Sequence, residues 1–261
     1  MPSKWISRFE LKPGTWVFIP TVDSISIGRV LKAEVEKHWH PPKNYFHLHP
    51  GGHLAALRHH LQSTHFAHLD IQNFFGQVNK SRVTRCLKDY LGYDVARAYA
   101  SQSTVKHPED GVTMLPFGFV QSPLLASLAL YKSALGRKLR QLPGQLGVMV
   151  SVYVDDIILS ADNEASLLEA LKLVEPVAVR SGFPLNKKKQ QGPSVAVSAF
   201  NIHLANQSML VQPERLRDFM DRYSESRNPM EQEGILAYVK SVNPKQAEDF
   251  AAVEIEESAA E

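Results

Sequence analysis

Two short apolar runs flank a pair of adjacent aspartates in the second half of the chain. Residues 148–154 and 157–159 are rich in β-branched and aliphatic side chains, and only Asp155 and Asp156 separate them. This pattern predicts a β-hairpin with a two-residue Asp-Asp turn. Because like charges repel and this turn contains no glycine, we expect a divalent cation to offset the repulsion. A solvent-exposed acidic hairpin without a ligand is the alternative interpretation.

A third carboxylate follows a similar apolar run earlier in the chain. Residues 66–71 predict a strand that carries Asp70 near its end. Asn79 is then a typical N-cap for a helix that we expect to stop at Gly92. Asp70 would therefore lie where a strand gives way to a helix, a place where sheets present functional groups. The alternative is a role in a turn or in helix capping.

Helical spacing of apolar residues predicts most of the remaining elements. Ser122 is a predicted N-cap with Pro123 at the first helical position, and this long helix would continue to Pro143. Residues 25–35 fit either a strand or the start of a helix. We also expect helices at residues 54–62, 95–105, 164–174, 215–223 and 231–242, a strand at 16–19 and a hairpin from 195–202 and 209–211.

Composition limits the class of protein. The chain has 261 residues, and its hydrophobic fraction of 44% is ordinary for a globular protein. The net charge of +2 includes an acidic stretch after Lys245, and the preceding residues hold 28 basic and 21 acidic side chains, which permits a polyanionic partner. One cysteine excludes a disulfide framework. Since we find no signal peptide and no apolar run of about 20 residues, we expect a soluble, cytoplasmic protein without a membrane partner.

Nine of the eleven histidines lie between residues 38 and 68. A zinc site is one interpretation, but the segment has neither the Cys/His spacing nor the His-Glu-x-x-His pattern of such sites. Prolines and glycines also interrupt it. We therefore expect a polar, partly cationic surface near a phosphate backbone, in which some histidines are simply hydrogen-bonded.

The three aspartates fit two-metal chemistry. Carboxylates on two neighbouring strands hold two Mg²⁺ ions about 4 Å apart in such sites. One ion would activate an attacking hydroxyl, and the other would stabilise a leaving pyrophosphate. We find no Ser-His-Asp arrangement and no Walker loop that would indicate another chemistry.

The chain contains four short motifs in this order: His68-Leu69-Asp70-Ile71-Gln72-Asn73-Phe74-Phe75, Leu115-Pro116-Phe117-Gly118 with Ser122-Pro123, Tyr153-Val154-Asp155-Asp156, and Gly182 with Leu185-Asn186 and Lys189. Together, these motifs resemble the reverse transcriptase family. The resemblance implies an α+β fold: a right-hand polymerase palm, with an antiparallel sheet and packed helices, short fingers and a small helical thumb. It places fingers and palm at residues 1–205, the thumb at 206–245 and an acidic, disordered tail at 246–261.

The resemblance also implies roles for single residues. Asp70, Asp155 and Asp156 match the palm carboxylates that bind two Mg²⁺ ions, for which Mn²⁺ is a substitute, and Ile71 belongs to the same metal site. Lys189 matches the lysine thought to protonate the leaving pyrophosphate. The residues expected at the nucleotide are Ile71, Phe75, which matches the aromatic steric gate that favours deoxynucleotides, Phe117, Gly118 and Tyr153.

Other parts of the chain match the family less closely. Residues 200–204 resemble the primer-grip hairpin, and Lys43 and Arg58 are the nearest candidates for triphosphate contacts. Many reverse transcriptases have glutamine where Phe117 stands. A phenylalanine there is similar to bacterial defence-associated enzymes of the abortive-infection and unknown-group type.

We therefore expect an Mg²⁺-dependent, RNA-templated DNA polymerase that acts in antiphage defence. Its partners would be an RNA template (a dedicated non-coding RNA is one candidate), a DNA primer or product, deoxynucleoside triphosphates, and a second copy or another protein. Untemplated or protein-primed DNA synthesis on the same fold is one alternative. A nucleic-acid-binding assembly subunit with vestigial polymerase activity is another.

Overall fold

The computed structural model describes residues 3–249. Its helices are α1 (Val22–His38), α2 (Gly52–Arg58), α3 (Lys80–Leu91), α4 (Tyr93–Ser103), α5 (Ser122–Lys132), α6 (Ala134–Leu146), α7 (Glu164–Arg180), α8 (Pro213–Glu225) and α9 (Pro229–Val242). Its strands are β1 (Trp5–Lys12), β2 (Thr15–Pro20), β3 (His65–Asp70), β4 (Val105–Lys106), β5 (Thr113–Met114), β6 (Met149–Tyr153), β7 (Asp156–Ala161), β8 (Gln191–Ser194), β9 (Ala196–Ala199), β10 (Ile202–Ala205) and β11 (Ser208–Val211).

A four-stranded antiparallel sheet in the order β6-β7-β3-β8 forms the centre of the molecule. Successive side chains along a strand point to opposite faces. Leu69 and Ile157 belong to the larger apolar core, which they share with α3, α5, α6 and α7. Phe66 and Ile158 face the other way, into a second core with α2, the sheet β9–β11 and the helices α8 and α9. The predicted α+β palm with antiparallel sheets is therefore confirmed.

The hairpin that carries Asp155 and Asp156 turns one residue earlier than the sequence predicts. Tyr153 is the Cα partner of Asp156, so the two-residue loop consists of Val154 and Asp155, and Asp156 is the first residue of β7. Val154 adopts φ 58°, the left-handed conformation required by the tight turns that match the strand twist. A β-branched residue is disfavoured there, which is why the sequence pointed to an Asp-Asp turn instead.

The long helix predicted from residue 123 to 142 is broken into α5 and α6. Ser133 has an extended backbone, and its hydroxyl accepts a hydrogen bond from the Gly136 N–H, which caps α6. The expected cap at Ser122 is wrong, because the Ser122 N–H already donates to the Phe119 carbonyl and Gln121 becomes the N-cap residue without a side-chain bond. Pro143 lies within α6, which ends at Leu146 with Gly147 as its C-cap.

Several boundaries follow the sequence closely. The side chains of Asn79 and Asn163 cap α3 and α7, and Gly92 is the C-cap of α3.

Other segments differ from the prediction or decide between its alternatives. Residues 25–35, which fit either a strand or a helix, belong to the helix α1. The helix predicted at 54–62 ends at Arg58, and α7 continues through Pro176 to Arg180. The hairpin expected within 195–211 is a three-stranded sheet.

The two helices expected to close the fold are present as α8 and α9. Residues 244–249 are also helical, so the first four residues of the predicted acidic tail (246–261) are ordered, and Gln246 accepts a hydrogen bond from the Val211 N–H at 2.7 Å. Residues 250–261 lie outside the described part of the chain, and the division into domains stays a prediction. None of the described helices combines the length and the hydropathy needed to cross a membrane.

Candidate active site

Strand register brings the three predicted carboxylates together at one end of the palm sheet. Asp70, the last residue of β3, is the Cα partner of Asp156, the first residue of β7. The Ile71 N–H donates to the Asp155 carbonyl at 2.8 Å, which ties the end of β3 to the hairpin loop. Asp70 is only 5% exposed. Three acidic side chains from two neighbouring strands thus share one small region.

Lys189 reaches this region from the loop that follows α7. Its Nζ lies 2.6 Å from Asp70 Oδ2, and the Asn186 N–H donates to the Asp70 carbonyl at 2.8 Å, which fixes the loop against β3. The hydrogen bond to Asp70 raises the pKa of Lys189 and outweighs the opposing effect of partial burial. Lys189 is therefore a protonated donor at neutral pH. The structure brings it together with Asp70, as the motif spacing implies.

His68 is a site residue that the sequence analysis did not single out. Its Nε2 lies 2.6 Å from Asp156 Oδ1, and the residue is 7% exposed. Its Nδ1 has no hydrogen-bond partner among the described residues. A signal was available, because His68 precedes Asp70 by two residues on the same strand and must share its face. The imidazole holds one carboxylate oxygen of Asp156 in place.

The negative charge of Asp155 is poorly compensated. Burial, together with the charges of Asp156 and Asp70, raises the pKa of the Asp155 carboxyl to about 6. Lys189 lowers this pKa only slightly, since its direct partner is Asp70. A cation beside Asp155 would offset the negative charge of its carboxylate, as expected at a metal-dependent site.

The donor set fits Mg²⁺, which prefers carboxylate and carbonyl oxygens. Within residues 3–249, no group of three or more His, Cys, Asp or Glu side chains is arranged to hold a metal ion. Asp70 and Asp156 instead contact Lys189 and His68. The side chain of Ile71 is a hydrocarbon without a donor atom, so only its main-chain carbonyl is suited to a metal. Charge and donor chemistry thus favour a cation, although these contacts would have to rearrange around it.

The raised pKa of Asp155 gives a testable pH dependence for the metal-free protein. The folded pKa of about 6 lies above the ordinary value of 3.8, so the folded state loses stability as pH rises through this window. Asp155→Asn removes the ionisation and is expected to raise the free energy of unfolding by about 2–3 kcal/mol near pH 8, with no gain near pH 4. Urea unfolding of both proteins at the two pH values, in the presence of a chelator, measures this difference in the free energy of unfolding. The exposed Asp162→Asn is the matched control, and an equal gain in both variants would contradict the assignment.

Two of the residues expected at the nucleotide are in direct contact. The rings of Phe75 and Phe117 pack edge to face with centroids 4.6 Å apart, and Phe75 is 7% exposed. The Phe117 carbonyl accepts a hydrogen bond from the Phe18 N–H at 2.9 Å. The N-terminal hairpin β1–β2 therefore supports Phe117, a contact that motif spacing could not predict.

Glycine is required at position 118 because the hairpin β1–β2 approaches it closely. Its φ is +101°, and a Cβ built on it would lie 2.2 Å from the Phe18 carbonyl oxygen. The sequence analysis placed Gly118 at the nucleotide, whereas the group that approaches it closely here is the backbone of β2. Its contact with a nucleotide stays a prediction.

Tyr153 joins the palm to two neighbouring segments. Its ring packs edge to face against Phe200 at 5.1 Å and against His47 at 5.7 Å. Tyr153 and Phe200 also line a groove of about 570 Å³ with Arg215 of α8 and Tyr238 of α9. Residues 200–204, which resemble a primer grip, thus lie between the Asp-Asp hairpin and the helices α8 and α9.

The clustered histidines serve mainly as hydrogen-bonding groups. His47 Nδ1 accepts the Val154 N–H at 3.0 Å, and its Nε2 lies 2.6 Å from the Ser127 hydroxyl. His60 lies between the hydroxyls of Ser160 and Ser151, at 2.7 and 2.8 Å. Burial lowers the pKa of His47 to about 4 and, with a contribution from His59, that of His60 to about 3. These two residues are therefore neutral at pH 7, and they agree with the expectation that some of the histidines are simply hydrogen-bonded.

Arg58 also differs from its expected role. Its guanidinium donates to the Ser241 carbonyl of α9, and the nearby His53 Nε2 lies 3.2 Å from the Tyr238 hydroxyl. Both contacts join α2 to α9. Arg58 therefore joins α2 to α9 and is not directed at a triphosphate.

Comparison with known proteins identifies the family. The family described as "Reverse transcriptase (RNA-dependent DNA polymerase)" matches residues 11–211, and the chain belongs to it. The retron Mx65 reverse transcriptase of Myxococcus xanthus is 27% identical over 204 residues, which cover 70% of this chain and 47% of that protein. The chain therefore spans about half the length of this relative.

Solved structures show the same fold at low sequence identity. Telomerase from Candida albicans, solved with a fragment of telomeric RNA, has a TM-score of 0.53 and 8% identity over 88% of this chain and 47% of its own. The foamy viral protease-reverse transcriptase, solved with double-stranded DNA, has a TM-score of 0.48 and 18% identity over 88% of this chain and 34% of its own. The telomerase likeness supports the polymerase palm.

Proposed function

We propose that the protein is an Mg²⁺-dependent DNA polymerase that copies RNA and adds deoxynucleotides by two-metal nucleotidyl transfer. The observation that carries the proposal is the register of β3 and β7, which places Asp70 opposite Asp156 and beside Asp155. Membership of the reverse transcriptase family supports the same chemistry.

Each polar residue of the site has a task in this reaction. The Mg²⁺ ions, when bound by Asp70, Asp155, Asp156 and the Ile71 carbonyl, would lower the pKa of the attacking hydroxyl and neutralise phosphate charge. His68 orients the Asp156 carboxylate. Lys189, held protonated by Asp70, donates a proton from Nζ to the leaving pyrophosphate. No protein nucleophile is required.

Phe75 would select the sugar of the incoming nucleotide. Its position five residues after Asp70, braced by Phe117, supports a rigid wall beneath the 2′ carbon. Phe75→Val is expected to raise the incorporation of ribonucleotides relative to deoxynucleotides by about tenfold or more, because the clash with the 2′-hydroxyl is relieved. The ratio of kcat/KM values for UTP and dTTP measures it. Phe74→Val, a change in the adjacent buried ring, is the control; an unchanged ratio in Phe75→Val would contradict the assignment.

The similarity to a retron reverse transcriptase of Myxococcus xanthus supports reverse transcription in a bacterium. We place this activity in antiphage defence, with a dedicated RNA as the template. The telomerase neighbour, solved with a fragment of telomeric RNA, supports RNA as a partner in such a reaction. In this proposal, the groove beside Tyr153 and Phe200 receives the growing DNA strand.

The direct test is primer extension with the purified protein. An RNA template annealed to a DNA primer, Mg²⁺ and four dNTPs are expected to yield a DNA complementary to the template. Sequencing of the product distinguishes templated synthesis from untemplated or protein-primed addition, which would give a sequence unrelated to the RNA. No DNA product with either Mg²⁺ or Mn²⁺, and with the nucleic acid that co-purifies from the host, would overturn the proposal.

A further inference from the structure

A basic pocket lies outside the candidate active site, on the helical side of the palm. It has a volume of about 370 Å³ and is bounded by α3, the junction of α5 and α6, and the end of α7. These helices pack on the sheet face that carries Leu69 and Ile157, opposite the face of Asp70 and Asp156. The polymerase chemistry proposed above gives this pocket no role.

Four cationic side chains line this pocket, namely Arg82, Arg85, Lys132 and Arg180, and none of its lining residues among those described is acidic. The nearest carboxylate with a contact to it is Asp89, whose Oδ2 lies 2.9 Å from Lys132 Nζ. One acid therefore opposes four cations. Such a concentration of like charge attracts an anion.

Two of the four cations are held in place by the fold. Arg82 donates to the Ser181 carbonyl at 2.6 Å and stacks on the Phe183 ring at 4.5 Å. Lys132 donates to the Cys86 carbonyl at 2.9 Å. These contacts orient the cationic groups before any ligand binds, which reduces the entropy lost on binding.

The other two cations are available to a ligand. Arg85 and Arg180 are exposed, and neither forms a hydrogen bond or an ion pair with another described residue. Guanidinium groups bind phosphate oxygens in a bidentate manner.

Because these arginines are exposed, the backbone phosphate of a nucleic acid strand suits the pocket better than a small anion that is enclosed on all sides. A ligand held by Arg85 and Arg180 would stay partly in solvent, as the backbone of a nucleic acid does. A further cation, Arg137 of α6, donates to the Lys132 carbonyl at 3.1 Å and extends the basic surface beyond the pocket. Neighbouring phosphates of one strand could therefore be contacted.

We propose that this pocket binds the phosphate backbone of an RNA strand that passes over the helical side of the palm, outside the polymerase cleft. The choice of RNA rests on the proposed function, whereas the preference for phosphate rests on the pocket alone. The protein would then hold its RNA at two separate places.

The test compares two double variants with the same change in charge. Arg85→Ala/Arg180→Ala removes the unpaired arginines, and Arg29→Ala/Lys172→Ala removes two exposed cations of α1 and α7 that lie outside the pocket. Binding of a fluorescent oligouridylate is measured across a salt series. The pocket variant is expected to bind about fivefold more weakly, and its slope of log K against log salt should be shallower by about 1.4, or about 0.7 per lost phosphate contact. Equal losses in both variants would overturn the proposal.

Arginine footprinting locates the contact directly on the unmodified protein. Phenylglyoxal labelling followed by mass spectrometry should show that the oligouridylate protects Arg85 and Arg180 but leaves Arg29 reactive. Protection by inorganic phosphate alone, with none by RNA, would overturn the proposal. Neither experiment measures DNA synthesis, so a failure of the proposed polymerase activity and a failure of this site are distinguishable.

Discussion

Replacement of Asp156 by asparagine is expected to lower kcat for deoxynucleotide incorporation by about 10³-fold or more. The substitution keeps the size of the side chain but removes the charge that would hold a divalent cation. Asparagine can also keep the hydrogen bond to His68, which joins it at 2.6 Å in the native site. The loss should therefore appear in the chemical step with the fold intact. Primer extension measures the rate of incorporation, and circular dichroism of the purified variant tests whether the fold is intact.

The exposed Asp162, six residues further along, provides the matched control for this experiment. Asp162→Asn removes the same charge from the end of β7 without touching the site, and we expect full activity. Asp70→Asn and Asp155→Asn should resemble Asp156→Asn, because all three carboxylates would share the ions. Incorporation at the native rate by Asp156→Asn would exclude this aspartate from the reaction.

Gly118→Ala is expected to destabilise the fold by about 3 kcal/mol or more. The backbone there has φ +101°, and the added Cβ would lie 2.2 Å from the Phe18 carbonyl oxygen. Part of the loss, about 1–2 kcal/mol, comes from the left-handed conformation alone. The rest comes from displacement of β2, which supports Phe117. Chemical unfolding measures the total.

Gly111 separates these two contributions. Its φ is +70°, but a Cβ there would meet no atom within 4 Å. Gly111→Ala should therefore cost only the conformational part, about 1–2 kcal/mol. If the two variants lost the same stability, the contact between Gly118 and Phe18 would not matter to the fold.

The sequence predicted the parts of the fold that depend on local patterns. Alternation and helical spacing identified β3, β6, β7 and most helices, because these elements bury one face and expose the other. Asn79 and Asn163 were recognised as caps because the side chain of such a residue accepts a hydrogen bond from the first turn, here from the N–H three residues ahead. The three aspartates followed from their positions at strand ends.

Features that depend on distant contacts were missed. The left-handed Val154 is stabilised by the hydrogen bond from its N–H to His47, more than a hundred residues away, and no local rule favours valine there. The break at Ser133 falls in a sequence with continuous helical spacing. The support of Phe117 by Phe18 joins segments about a hundred residues apart.

The buried imidazole of His60 helps to fix the register of β6 and β7, the hairpin that carries Asp155 and Asp156. Apolar side chains tolerate a slip of two residues between β6 and β7, because such a slip returns every side chain to its own face. Ser151 and Ser160, however, meet His60 from diagonal positions of the two strands, at 2.8 and 2.7 Å. A slipped hairpin would leave buried polar groups unpaired, at a cost of about 1–3 kcal/mol for each. A neutral side chain far from the chemistry thus discriminates against misaligned versions of the hairpin that carries Asp155 and Asp156.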